Sequence, residues 1–416
     1  MNILVVGNGF DLAHGIPTSY QSCLDFFSMA YQCIDENKYE YCRSMLWRDP
    51  IRLPPNLKQF SEYQIKFLKN FLNNSTESLE YPLLRKCIQD NLWLVHFFSW
   101  QEVKGNERQQ WIDFEAEISH VVQLADQAIK RSCENSLTLN QLDMNFFKDQ
   151  ELKRFPHYIA IGKKIMAFLH KRFPRTEIMD HMYSSIIELL FNDLKKLTTA
   201  VEIYLKTCTI REEINKVTDI ENIESIDKVV SFNYTSTFLI YLKDQNPENI
   251  CHIHGKIRNN ILDLHSQIVL GIDEYLDEKH QNTEINWAMF KKYFQRIFKH
   301  TDFQYVNWGN SLESSQNQFQ KDSGSSISSN LYVFGHSLDP TDRDVLRELI
   351  QKDNRTTIIF YRDEEQLSGE IKNLIQVIGV KELNARARSI PPSIIFRQQI
   401  SVEVEIHDLL KPFLFL

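Results

Sequence analysis

The chain has 416 residues, a formal net charge of −8 and 43% hydrophobic residues, a globular composition long enough for two or three domains. The acidic balance argues against a broad nucleic-acid surface. Seven cysteines, at 23, 33, 42, 87, 133, 208 and 251, are scattered with no C-x-x-C pair, so a four-cysteine zinc ribbon is excluded and reduced thiols are expected.

No stretch approaches the roughly 18 continuous apolar residues of a membrane span, so no membrane partner is expected. The N-terminus lacks the basic region of a signal peptide, and its apolar run stops at Gly7. Placement in the cytoplasm is the expectation.

Ile3-Leu4-Val5-Val6 is an apolar run without alternation, the pattern of a strand covered on both faces of a parallel sheet. It enters Gly7-Asn8-Gly9, where two residues without a Cβ can take positive φ and bring backbone N–H groups close to an anion. The usual dinucleotide fingerprint needs a third glycine at position 12, which is Leu12. Gly15-Ile16-Pro17 follows, and a capped helix starts at Thr18 or Ser19.

From 18 to 225 the pattern is helical. Leu24, Phe27, Tyr31 and Ile34, and later Ile186, Leu190, Leu194 and Leu197, repeat at helical spacing. This region is expected as a large helical insertion in an α/β, Rossmann-like, mostly parallel sheet formed by 1–17 and 226–416. Within it Pro50–Pro55 reads as a loop, and Glu107–Gln110 as a break before Asp113 and Glu115. Those two carboxylates read as a helix first turn or as a carboxylate lent to a cleft.

Strand character returns at Lys228–Phe232, at Ile250–Ile253 and at Gln267–Gly271. A helical passage at 283–301 precedes the polar connector Ser311–Asn330. Asn330–Phe334 reads as a strand that enters Gly335-His336-Ser337, followed by a helix capped at Thr341 or Asp342 and running to Ile350. Thr356–Tyr361 is another buried strand, and Ser401–Ile406 alternates as an edge strand.

Four strand ends therefore carry small or polar residues: Gly7 to Gly9, Asn233, His254-Gly255 and Gly335 to Ser337. The ends of parallel strands converge on one cleft. His252 competes with His254, because two residues apart along a continuing strand share a face.

In this order the motifs resemble those of sirtuin-like proteins. Gly7 to Pro17, G-N-G-F-D-L-A-H-G-I-P, is similar to their G-A-G-I-S-x-x-S-G-I-P loop. Ser231-Phe232-Asn233-Tyr234 resembles their T-x-N, Ile253-His254-Gly255 their L-H-G, and Gly335-His336-Ser337-Leu338 their G-T-S-L. The wording N-G-F-D-L-A-H-G-I-P-T-S-Y from Asn8 to Tyr20, with the late F-G-H-S-L, resembles the AbiH family of bacterial abortive-infection proteins more closely.

The resemblance implies a sirtuin-like, Rossmann-type domain that takes NAD as substrate, with no metal. Gly7, Asn8, Gly9, Phe10, Asp11 and Gly15 would hold its pyrophosphate and nearby ribose. Asn233 would position ribose or water, His254 would act as general base, and Gly335 and Ser337 would meet the adenosine half. The family's T-x-N-x-D motif has Thr235 in place of its aspartate, and Thr18-Ser19-Tyr20 replaces D-F-R after Gly-Ile-Pro. Hydrolysis of NAD by water is therefore expected rather than lysine deacetylation, as part of defence against bacteriophage with the helical insertion gating the cleft or sensing infection. A phage-derived trigger and a homo-oligomer are the further partners this implies. Two other readings stay open: a nucleotide-binding sensor or scaffold that does not cleave, and a metal-dependent nuclease using Asp113 and Glu115.

Overall fold

Among the described residues six parallel strands form one sheet: β1 (Asn2–Val6), β2 (Lys228–Ser231), β3 (Ile250–His252), β4 (Ser329–Phe334), β5 (Arg355–Tyr361) and β6 (Ile394–Gln398). Their spatial order is β3-β2-β1-β4-β5-β6, the arrangement of a doubly wound Rossmann-like sheet. These elements come from a computed structural model that describes residues 1–48, 53, 55–104, 114–134, 157–172, 180–210, 214, 216–242, 246–272, 285–306, 308, 329–352 and 355–400.

The opening run lacks alternation because both faces of the sheet are covered. Ile3 and Val5 enter one apolar core with Val230, Leu331, Val333 and Ile359. Leu4 and Val6 enter a second, with Val229, Phe334, Ile358 and Phe360. Successive side chains of each strand thus serve opposite layers. The helices Arg343–Ile350 and Glu364–Ile378 supply Val345, Leu346, Leu374 and Val377 to the first core.

The chain divides into two compact units. Met1–Ile16, Glu212–Lys256 and His300–Leu416 form the sheet unit, and Pro17–Arg211 with Ile257–Lys299 forms the helical one. Residues 257–299, expected with the sheet, belong to the helical unit. Gln267–Gly271 is not a strand, although Ile268, Val269 and Leu270 are buried. Its polar backbone is satisfied by side chains: Gln295 accepts from the Leu270 N–H at 3.2 Å and donates to the Leu270 carbonyl at 2.9 Å, and Lys299 donates to the Ile268 carbonyl.

In the helical unit Ser19 caps Tyr20–Ile34, its hydroxyl accepting from the Ser22 N–H at 3.1 Å. Leu24 and Phe27 are buried as the periodicity predicts, whereas Tyr31 is exposed. Ile186, Leu190, Leu194 and Leu197 are all buried along Asp180–Thr209. Pro55 starts a short helix; most of the predicted loop at 50–55, the break at 107–110, Asp113, the connector up to 328 and the predicted edge strand at 401–406 lie outside the described residues. Cys23, Cys33, Cys42, Cys87, Cys208 and Cys251 are free and buried, and among the described residues no helix is long and apolar enough to cross a membrane.

Candidate functional site

In a sheet of this order the chains leaving β1 and β4 diverge, and ligands bind outside the carboxyl ends of the strands at that switch point. Here the two exits are bound to each other. The Gly7 N–H donates to the Phe334 carbonyl at 3.3 Å, and the Gly9 N–H donates to the Gly335 carbonyl at 2.8 Å. A Cβ on Gly7 would lie 2.6 Å from the His336 Cα, and one on Gly9 would lie 2.8 Å from the Gly335 Cα.

This corrects the predicted use of the opening glycines. Neither Gly7 nor Gly9 has positive φ; both are small because backbone packs on backbone, and their N–H groups are taken by strand β4 and its exit. Gly335 is the residue that needs the left-handed region, at φ 68°, with its would-be Cβ 2.1 Å from the Phe10 nitrogen. Asn8 starts the short helix Asn8–Ala13 and is half-buried. Phe10 is fully buried in the second core against Phe334 and Tyr241, so its ring is a packing group.

Gly15 is a helix stop. It has φ 71°, its N–H reaches the Leu12 carbonyl at 3.0 Å, and the Ile16 N–H reaches the Asp11 carbonyl at 3.0 Å. Those two bonds are a Schellman motif ending Asn8–Ala13. His14 closes the same turn, one ring nitrogen 2.6 Å from the Phe10 carbonyl and the other 2.6 Å from the Tyr241 hydroxyl.

The exits of β3 and β4 bring two histidines to one carboxylate. His254 Nε2 is 3.0 Å from Asp342 Oδ1, and His336 Nε2 is 3.5 Å from Asp342 Oδ2. The Leu338 N–H donates to His336 Nδ1 at 2.9 Å, so a neutral His336 carries its proton on Nε2, facing Asp342. Phe232 packs on both rings, with centroids 5.6 Å from His254 and 4.2 Å from His336. Leu338, a bulky residue held at φ 55°, sits in this loop; such strain costs about 1–3 kcal/mol and collects at functional sites.

A second polar cluster lies at the ends of β1 and β2. Thr235 Oγ1 donates to Asp11 Oδ2 at 2.6 Å, and Asn233 Nδ2 donates to the Gly7 carbonyl at 2.9 Å. Asp11 is 1% exposed, and its Oδ1 is buried with no hydrogen-bond partner among the described residues. Burial pushes the Asp11 carboxyl up to about 6, against the polar side chains of Thr235, Thr237 and Asn233, which pull it down.

His252 and His254 do not share a face. β3 ends at His252 and the chain turns at 253–254, so His252 packs on Phe238, on the second core's side, while His254 packs on Phe232, on the first. Burial, with Lys256 nearby, pushes the His252 imidazole down to about 4. Its Nδ1 is buried without a hydrogen-bond partner among the described residues.

The sequence places Asn233, His254 and Gly335 at the strand ends where the structure has them, and Asp11, named through the resemblance, lies in the helix that follows β1. Ser337 is exposed, and its carbonyl accepts from Asn373 Nδ2 at 2.9 Å. Asp342 was legible only as helix-start chemistry; its partnership with His254, 88 residues earlier, leaves no local signal. Glu115, in the helical unit, pairs with Lys292 at 2.7 Å.

No curated protein and no solved structure matches the chain. The family model for bacteriophage abortive infection AbiH matches residues 3–362, a span that runs from β1 through β5 and takes in every residue of both clusters. The chain belongs to the AbiH family of abortive-infection proteins, whose role is defence against bacteriophage.

Proposed function

We propose that the protein is an NAD hydrolase, cleaving the nicotinamide–ribose bond with water as its step in abortive-infection defence. The observation that carries this reading is the His254–Asp342 pair at the carboxyl edge of the sheet, the edge at which open sheets of this order generally bind their ligands. The sirtuin-like wording around Asn233 and His254 supports the choice of NAD.

The reaction balances simply. The bond from ribose to nicotinamide breaks, its electron pair neutralises the cationic ring, and a water oxygen bonds to the ribose carbon. The proton shed by that water needs an acceptor. His254 is a residue of the right type, with a carboxylate 3.0 Å from Nε2 to orient the ring and balance its positive charge once protonated. Asn233 then positions the ribose or the water. Phe232, packed on both histidines, keeps the cluster dry, which strengthens each electrostatic contact.

Nicotinamide release from NAD by purified protein tests the reading. His254→Ala is expected to lower the rate by about 10²–10⁴-fold, the usual worth of a positioned proton-transfer group. Asn233→Ala is expected to reduce it as well. Release unchanged by both substitutions removes the assignment.

A nucleotide sensor that binds without cleaving is the second reading. Threonine at position 235, where the resembled motif has an aspartate, favours it. Tight binding with no nicotinamide released, including in the presence of phage lysate, selects it over the hydrolase.

A further inference from the structure

The exits of β3 and β4 place one carboxylate between two imidazoles, and only one of those rings can act as a base. His336 Nδ1 accepts the Leu338 N–H at 2.9 Å, so its lone pair is used and its proton sits on Nε2, 3.5 Å from Asp342 Oδ2. A protonated Nδ1 could not accept that N–H, so the same bond keeps the ring neutral. His336 has no lone pair left for a substrate proton.

The loop is built to hold that bond. Leu338 is fully buried in the first core at φ 55°, and Gly335, at φ 68°, leaves no room for a Cβ. Backbone in this region persists where its surroundings over-determine it. Phe232 packs on the His336 ring, with centroids 4.2 Å apart.

Asp342 is then approached on both oxygens. Oδ2 faces His336, and Oδ1 lies 3.0 Å from His254 Nε2. Its backbone is held as well, the Asp342 N–H donating to the Asp339 carbonyl at 3.1 Å. A carboxylate only accepts, so the His254 nitrogen facing it carries the proton and Nδ1 keeps the lone pair. That is the reverse of the Ser-His-Asp arrangement, in which the carboxylate holds Nδ1 and Nε2 is the base.

Resting on the hydrolase reading of this site, we infer that His336 is a positioning residue, which through Asp342 holds His254 with its proton on Nε2 and makes Nδ1 the atom that takes the proton from water. In that step the water oxygen bonds to the ribose carbon as the bond to nicotinamide breaks, its electron pair leaving with nicotinamide. The water proton goes to His254 Nδ1, and the Nε2 proton stays between His254 and Asp342. No proton reaches His336.

Long-range proton–nitrogen NMR spectra of the histidine rings read the tautomers directly, in the full chain and without substrate. At pH 8, above the ordinary histidine value of about 6.5, both rings are expected to show Nε2–H. A proton on Nδ1 of either ring in the wild-type chain overturns the inference.

Asp342→Asn separates a positioning role from a structural one. Asparagine offers one acceptor and one donor where aspartate offers two acceptors. His336 can only donate toward it, so the amide oxygen turns to His336 and the NH2 group faces His254 Nε2, which must then accept. His254 is therefore expected to move its proton to Nδ1. Nicotinamide release is expected to fall by about 10⁴-fold in kcat, the loss that follows when a triad histidine is held in its wrong tautomer.

Adding His336→Phe frees the amide to turn its oxygen toward His254. The double variant is expected to return His254 to Nε2–H and to recover about 10²-fold in kcat, the low end of what a positioned proton-transfer group supplies. A merely structural His336 gives the opposite, a double variant worse than either single one.

Asp342→Asn that keeps His254 as Nε2–H, or a double variant that recovers neither tautomer nor rate, overturns the inference. Should the Asp342 variants fail to fold, the wild-type tautomers carry the test alone. A wild-type chain with the expected tautomers that releases no nicotinamide removes the hydrolase and keeps the assignment of the two rings. Release from a chain whose His254 carries its proton on Nδ1 does the reverse.

Discussion

Asp11 joins stability to the site at the level of a single side chain. An ordinary aspartate titrates near 3.9, and this one is pushed up to about 6 by burial. Between about pH 4 and 6 the folded chain therefore holds a proton that the unfolded chain has released. Stability then rises as pH falls through that window and is lower, by about 2–3 kcal/mol from this group, once the pH exceeds 6. An uncharged asparagine has no such dependence. Urea unfolding at pH 5 and pH 8 is expected to show Asp11→Asn more stable than wild type at pH 8, with the gap narrowing at pH 5. The difference between the two proteins isolates Asp11 from Glu370 and His252, which burial shifts to about 7 and about 4. A variant less stable at pH 8 marks Asp11 as a structural tie between β1 and β2. A carboxylate that weakens the fold at neutral pH is the kind of group kept for function.

At the scale of elements, the glycines divide by what surrounds them. Gly335 has φ 68° and no room for a Cβ, so Gly335→Ala is expected to destabilise by about 2–5 kcal/mol, combining left-handed strain with a backbone clash. Gly369 lies inside Glu364–Ile378 with nothing within 4 Å of its would-be Cβ, so Gly369→Ala is expected to stabilise by about 0.5–1 kcal/mol. Midpoints of urea unfolding check both signs, and a neutral Gly335→Ala would undo the account of the β1–β4 crossing. Both residues are equally glycine in the sequence, which reports smallness and leaves open whether a ligand, a neighbouring backbone or open space makes use of it. The same limit applies to strands. Ile3–Val6 was readable because an apolar run between polar ends fits a doubly covered strand. Ile268–Leu270 has the same look, but its backbone bonds to Gln295 and Lys299 in place of a ladder. Ile394–Gln398 escaped notice because its apolar residues are only three and follow Pro391-Pro392.

Across the whole molecule, the order of the strands brings scattered residues to one edge of the sheet. Asp11, Asn233, His254 and Asp342 span more than 300 positions of sequence, and each follows a different strand of one parallel sheet: β1, β2, β3 and β4. Asn233 and His254 were visible because each follows an apolar run closely, and Asp11 only through the resemblance carried by Gly7 to Pro17; Asp342 lies eight residues past Phe334 and behind a helix-start pattern that explains it without a partner. Membership of an abortive-infection family sets the consequence to look for in cells. An enzyme that consumes NAD arrests its host by removing a central redox carrier, so infection of cells expressing the chain is expected to lower NAD before lysis. His254→Ala is expected to accumulate to the same level, to leave NAD unchanged and to lose protection. If instead protection persists in the variant while NAD stays constant, the crevice acts by binding, and the His254–Asp342 pair serves to hold the exits of β3 and β4 together.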